Sequence, residues 1–350
     1  MAEVKISADA GGGWTSLKGP ANTSNTNAFV LPSADGSAGH FLKTDGSKTL
    51  SFAAVAGGNT TLDGTNTYAG TSACASLSSA GGNTAYGHSA LNASDANNNT
   101  GFGLNVLKVA TAGGNTAIGK DAALNCSTGF VAFAGGEQAC KGNTTGSSNV
   151  ACGAEALKDN TECNDNTACG YRALENIGAS TTSAHANTAI GKYAGRDQTE
   201  GWNSTFIGAN AQGSSATASN QITLGDSSVS GLRCNETSIS SLSDQRDKTD
   251  VVNLPIGLNF VKSLRPVKFK WARRDPNDLS KVDDNNPNNG KIKAGFLAQE
   301  LQTAVGRYTY LDLVMDDNSD RLEAKPGNLI PVLVQAIKEL EARVATLEAG

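Results

Sequence analysis

The sequence predicts a mainly β protein: a parallel β-solenoid shaft, then a small α+β domain that ends in a helix. Three observations carry this expectation. Composition changes sharply near residue 240, glycines before that point recur every 16 to 17 residues, and the final helix repeats apolar side chains at heptad spacing. The chain divides into a segment at 1–56, a repeat region at 57–230, a linker at 231–242 and a domain at 243–350.

Charge and glycine locate the boundary. Residues 243–350 carry 32 charged side chains in 108 positions, against 29 in the 242 before them, while 34 of the 40 glycines precede residue 243. The second part has the composition of an ordinary globular domain. The first is rich in Gly, Asn, Thr, Ser and Ala.

Net charge is –5 with no basic tract, which argues against nucleic acid as a partner. No run of 18 apolar residues predicts membrane insertion, and MAEVKISADAGGG lacks the apolar core of an export signal. Seven cysteines without a CxxC pair favour reduced thiols, and three histidines lack metal-pair spacing, so neither a metal nor a cofactor is expected.

The repeat excludes disorder for 57–230. Asn83-Thr84-Ala85-Tyr86-Gly87 recurs as Asn115-Thr116-Ala117-Ile118-Gly119, Asn149-Val150-Ala151-Cys152-Gly153, Asn166-Thr167-Ala168-Cys169-Gly170 and Asn187-Thr188-Ala189-Ile190-Gly191. So short a period means one coil per repeat, stacked on the next. The Thr-Ala-Ile stretch predicts a short strand, glycine the turn after it, and asparagine either a turn cap or a side-chain ladder. Ten coils would stack to roughly 50 Å. The residue before each glycine is expected to face a thin apolar core: Tyr86, Phe102, Ile118, Cys152, Cys169, Ile190, Ile207 and Leu224. Irregularity at 132–136 and the single 21-residue step predict loops that bulge from the stack. A coil with one large apolar residue buries little surface, and association with threefold symmetry supplies what is missing. The repeat resembles the head repeat of YadA-type trimeric adhesins and of phage fibres that share it, which implies β-rolls packed as homotrimers.

Residues 31–52 place Asp35-Gly36 and Asp45-Gly46 between short apolar stretches, which predicts turns. The segment resembles the LPxxDGxxGxxLxTDG stretch of phage tail fibres. That resemblance implies attachment of the N-terminal region to a baseplate or tail protein, a place in the virion, synthesis in the host cytoplasm, and a bacterial surface receptor, with glycans among the candidates.

After residue 240 come Ser243-Asp244-Gln245-Arg246-Asp247-Lys248, a helix candidate over 254–264, an alternating strand Pro266–Trp271, a polar loop over 275–289 and the stretch Ala294–Leu301. In the last helix Ile330, Leu333, Ile337, Leu340, Val344 and Leu347 form a heptad seam. Packing against its own domain or self-association as a short coiled coil would each explain it. The SDxRxK opening, PVxFxW strand, GFxAQE segment and terminal AIKEL resemble, in order, the C-terminal chaperone of endosialidase-type tailspikes and tail fibres. The resemblance implies a domain that drives trimer assembly and is then cut off at Leu242–Ser243, with Ser243 as nucleophile and Lys248 as its base. A lysine base must lose its charge; burial between docked chains would favour that, and Arg246 could add repulsion. Asp244 is expected to order the turn. Activity would amount to a single self-cleavage, with no external substrate. The competing readings are a bacterial trimeric surface adhesin and a fibre that keeps its chaperone uncut at the tip.

Overall fold

A computed structural model describes residues 65–350 except 78, 180–182, 236–238 and 276–279, and before residue 65 the strand segments alone. Strands β1 (Val4–Ser7) and β2 (Trp14–Leu17) pair antiparallel, as do β3 (His40–Thr44) and β4 (Leu50–Ala54). Both Asp-Gly turns, and most of the proposed attachment segment, lie outside the described residues.

The shaft is one eleven-stranded sheet in sequence order. Its strands are β5 (Thr61–Leu62), β6 (Thr67–Ala69), β7 (Thr84–Tyr86), β8 (Thr100–Phe102), β9 (Thr116–Ile118), β10 (Val131–Gly135), β11 (Asn149–Cys152), β12 (Thr167–Cys169), β13 (Thr188–Ile190), β14 (Thr205–Ile207) and β15 (Ile222–Leu224). β5 runs antiparallel to β6 and every later neighbour is parallel, with Thr on Thr and Ala on Ala between β12 and β13 and one register shift, at β10. The expected solenoid is therefore the observed one, one rung per repeat.

Three columns hold the coils at one spacing. A glycine at positive φ follows each strand from β6 to β15; at Gly103 (φ +142°) a Cβ would lie 2.4 Å from the carbonyl oxygen of Gly119 one coil on. No L-residue fits there. Buried asparagines form the ladder: Asn83, Asn99 and Asn115 accept from the backbone N–H of the coil above at 2.8, 2.9 and 2.5 Å. Each buried amide satisfies backbone that a loop would otherwise leave unpaired. Opposite charges also meet across coils, as in Lys120–Glu137 and Arg172–Glu155, both 3.0 Å.

The interior corrects the sequence expectation. Ala85, Ala117, Ala151, Ala168 and Ala189, the middle residues of their strands, are fully buried, while the following residues Phe102, Ile118, Cys152, Cys169, Ile190, Ile207 and Leu224 are exposed and Tyr86 is half-buried. The two faces are inverted from what size suggested. The coil is too thin for a large residue at most strand positions, so alanine lies inside. Bulk comes instead from turn residues Leu91, Leu107, Leu157 and Leu174, all fully buried with φ near +50°. Among the described residues no non-glycine residue at positive φ is β-branched, in line with the steric cost of that region. Phe206 is the exception, a buried aromatic in a middle position. Gly195 (φ +59°) makes room for its ring: a Cβ there would lie 2.7 Å from it.

The irregularity at 132–136 is a bulge between Val131 and Phe133, after which register with β11 resumes. The 21-residue step adds residues before His185, part of which lies outside the described set.

The C-terminal domain contains α1 (Leu258–Ser263), β16 (Val267–Lys270), β17 (Ile292–Gly295), α2 (Ala298–Val305), β18 (Val314–Met315), β19 (Glu323–Ala324) and α3 (Ile330–Ala349). α1 starts four residues later than the 254–264 candidate, with Gly257 as its N-cap in a non-helical conformation. β16 pairs antiparallel with β17, and β18 with β19. A small core joins Ile256, Phe260, Leu301, Leu311, Leu313, Leu329 and Val332. Glu339 of α3 accepts the Leu258 N–H at 2.8 Å, satisfying a free donor at the start of α1. Gly257 permits that approach, since a Cβ would lie 2.5 Å from the Glu339 carboxylate.

Candidate functional site

Ser243 and Lys248 come together. A 3-10 turn at Gln245–Asp247 folds the chain back, and Lys248 Nζ donates to Ser243 Oγ and, at 3.2 Å, to the Ser243 carbonyl. Asp244 caps this turn by accepting the Arg246 N–H at 2.8 Å. Its carboxylate also takes a two-point contact from the Arg246 guanidinium, with Nη2 at 2.6 Å. The Arg246 contacts hold the Asp244 carboxyl below its ordinary range. Asp244 therefore orders the turn, as its sequence position suggested. Arg246 has its charge paired with Asp244, so the expectation that it would repel the Lys248 ammonium is not met.

Leu242 is fully exposed, and Ser243 and Lys248 are exposed too. The bond between Leu242 and Ser243 lies in an extended linker that nothing in the domain covers. In the single chain, Ser243 and Lys248 are in contact but in solvent.

Two apolar surfaces remain open. The first is the outer ladder of the shaft, Tyr86, Phe102, Ile118, Cys152, Cys169, Ile190, Ile207 and Leu224, aligned rung over rung. Tyr86 and Phe102 stack with ring centroids 5.2 Å apart. Phe133 fills the gap at Gly135, where a Cβ would meet its ring at 2.6 Å. The second is the heptad seam of α3. Ile330, Leu333, Ile337, Leu340, Val344 and Leu347 are all exposed, from 42% to 80%, while Val332 and Ala336 on another face pack on the domain. The seam is thus not the face that α3 uses to hold its own domain.

Residues 243–310 match the family described as chaperone of endosialidase. The matched stretch holds the Ser243–Lys248 turn, α1, both strands of the β16–β17 hairpin and α2, and stops before β18 and α3. No curated protein and no solved structure matches the chain. The match supports a chaperone domain of this type at residues 243–310, which follows a parallel solenoid. No described helix is long and apolar enough to cross a membrane, and no described group of His, Cys, Asp and Glu is arranged to hold a metal.

Sequence reading missed the side chains that join this domain to itself and to the shaft. Glu339 stands in a charged helix face with nothing to mark it as a cap. Asn286, Asn288, Asp317 and Asn318 sit in polar turns that look like solvated loops. The one signal was asparagine density over 285–289, which exceeds what a single turn requires.

Proposed function

We propose that the chain is a homotrimeric phage tail-fibre protein that carries its own assembly chaperone and cuts it off before Ser243. The shaft would reach a bacterial surface receptor, a glycan among the candidates. The N-terminal region would join a baseplate or tail protein of the virion after synthesis in the host cytoplasm. The observation that carries the reading is the pair of open apolar surfaces in a chain whose residues 243–310 match the chaperone of endosialidase family. A ladder of aligned Phe, Ile, Cys and Leu along a shaft, with a heptad seam beyond it, is the kind of contiguous exposed apolar surface that marks an interaction site. Copies of the same chain cover both at once. The α3 seam would wind as a short coiled coil.

The chemistry follows from the contact between Lys248 and Ser243. Neutral Lys248 Nζ takes the Ser243 hydroxyl proton, and Oγ attacks the Leu242 carbonyl carbon. The C–N bond breaks as the Ser243 nitrogen gains a proton, leaving Leu242 esterified to Oγ. Water then hydrolyses the ester, giving a Leu242 carboxylate and restoring the hydroxyl. A lysine serves as base only when desolvation or a nearby positive charge removes its proton. Arg246 is neutralised by Asp244, so burial between docked chains is the remaining source. Cutting is therefore gated by assembly.

Denaturing gel electrophoresis tests this. The unmodified chain is expected to yield two fragments, while Ser243→Ala and Lys248→Ala stay whole and keep the oligomer mass of the uncut protein. A Lys248→Ala chain that still separates into two pieces would refute the dyad.

A further inference from the structure

We propose that breaking the Leu242–Ser243 bond does not by itself free the chaperone domain, because a polar clamp holds the domain on the last coil of the shaft. The inference rests on that bond being the one cut. The clamp has two jaws. In the first, Asp317 Oδ2 accepts from Ser214 Oγ at 3.1 Å and Gln221 Nε2 at 2.9 Å, and Asn318 Nδ2 donates to the Ser214 carbonyl at 3.0 Å. In the second, Asn286 Nδ2 donates to Ser227 Oγ at 2.9 Å, and Asn288 Nδ2 donates to the carbonyls of Ser227 at 2.8 Å and Val229 at 3.2 Å.

Both jaws are built rather than incidental. Asn286 and Asn288 are 5% and 7% exposed, and their loop is fixed internally by the Asn288 N–H on Asn286 Oδ1 at 3.0 Å. On the shaft side, Ser214 and Gln221 bond each other across the coil, N–H to Oε1 at 2.9 Å and Nε2 to Oγ at 2.6 Å. Asp317 thus grips a pair that exists only when the coil is closed. The domain's partner surface is the finished last coil, recognised through amide and hydroxyl groups.

No described linker residue takes part in this grip. Leu232, Ile239 and Leu242 project into solvent. Cutting there leaves every clamp contact in place. The interface is polar, and Ile222 and Leu224 of the last strand remain 75% and 51% exposed beside it. A contact of this kind is dissociable between free molecules and stays closed when a short tether supplies about millimolar effective concentration. Cutting removes the tether and turns an intramolecular contact into a dissociable one. Bond breakage and departure of the chaperone become two steps, the second dependent on concentration.

The test uses the full chain carrying Ser243→Ala, with a recognition sequence for a sequence-specific protease inserted after Gly231. After cutting, gel filtration at low micromolar concentration is expected to show both fragments eluting together and separating on dilution. Asp317→Ala combined with Asn288→Ala is expected to separate at a concentration at least tenfold higher, and Asp317→Asn, which keeps an acceptor oxygen, at one in between. Equal elution of the uncut variants and their parent checks that they fold. Immediate separation of the parent fragments, or equally firm retention by the double variant, overturns the clamp. Because the protease makes the cut, this result does not depend on whether Ser243 is a nucleophile, which the gel of the unmodified chain reports separately.

Discussion

Substituting Gly153 by alanine probes the stacking of the shaft most directly. Gly153 has φ +142°, a region that side chains avoid, and holding alanine there costs about 1–3 kcal/mol. The added Cβ would also stand 2.5 Å from the carbonyl oxygen of Gly170 and 2.6 Å from its carbonyl carbon. Both atoms belong to backbone in the next coil, so relief requires the coils to part at that corner. The parallel pairing of Ala151 with Ala168 and Cys152 with Cys169, directly before the two glycines, resists such parting. Overpacking of this kind costs about 1–3 kcal/mol more. The total of about 2–6 kcal/mol, at about 2–4 °C for each kcal/mol in a unit of this size, lowers the thermal midpoint of the shaft by the order of 10 °C. Gly231→Ala is the control, since a Cβ there has nothing within 4 Å. Thermal unfolding followed by far-UV circular dichroism reads both. A Gly153→Ala midpoint within 2 °C of the control would mean that the glycine column does not set the coil spacing.

Asn166→Ala removes a fully buried amide that accepts the Asn187 N–H at 3.0 Å and donates to the Ala184 carbonyl at 2.9 Å, so two backbone groups lose a partner; a loss of about 1–3 kcal/mol in denaturant unfolding is expected. Glu155→Gln is expected to cost about 0.5–1 kcal/mol at pH 7. Lys158 first, then Arg172, depress the Glu155 carboxyl, so its contribution is present above the ordinary carboxylate range and disappears as pH falls through the depressed value. The gap between variant and parent should therefore close in acid. Glu175 nearby works in the opposite sense, because burial raises its carboxyl and the Glu155 charge adds to that rise; Glu155→Gln removes the second contribution, so Glu175 eases toward its ordinary range in the variant. Paired Ile118→Asp and Ile190→Asp changes on the outer ladder are expected to leave coil folding intact by circular dichroism and to shift the chain toward monomer in sedimentation velocity.

The architecture was largely legible in the sequence, and the choice of inside and outside was not. A ruler of glycine and asparagine has one physical solution, rungs stacked one per repeat, and those two residue types hold the stack through close backbone approach and amide bonds. Three-residue strands alternate faces, so Thr-Ala-Ile offers two assignments. Size favoured the isoleucine for the interior. The structure chose the alanine, because the coil cross-section is already filled by Leu91, Leu107, Leu157 and Leu174 from turns whose spacing follows no strand period. That inversion places Cys152 and Cys169 outside, where they were expected as buried apolar residues. The α3 seam was legible because heptad spacing separates it from Val332 and Ala336. In the candidate cutting site the Ser243–Lys248 pairing followed from motif order, while the Asp244–Arg246 contact that neutralises the guanidinium depends on the fold of a three-residue turn.

Association along the outer ladder and the α3 seam is the claim on which the functional account depends, and the mass of the uncut assembly tests it most directly. Native mass spectrometry of the Ser243→Ala chain is predicted to give three times the 35.7 kDa chain mass. A folded species at the single-chain mass, with its ladder and seam left in water, would contradict the account.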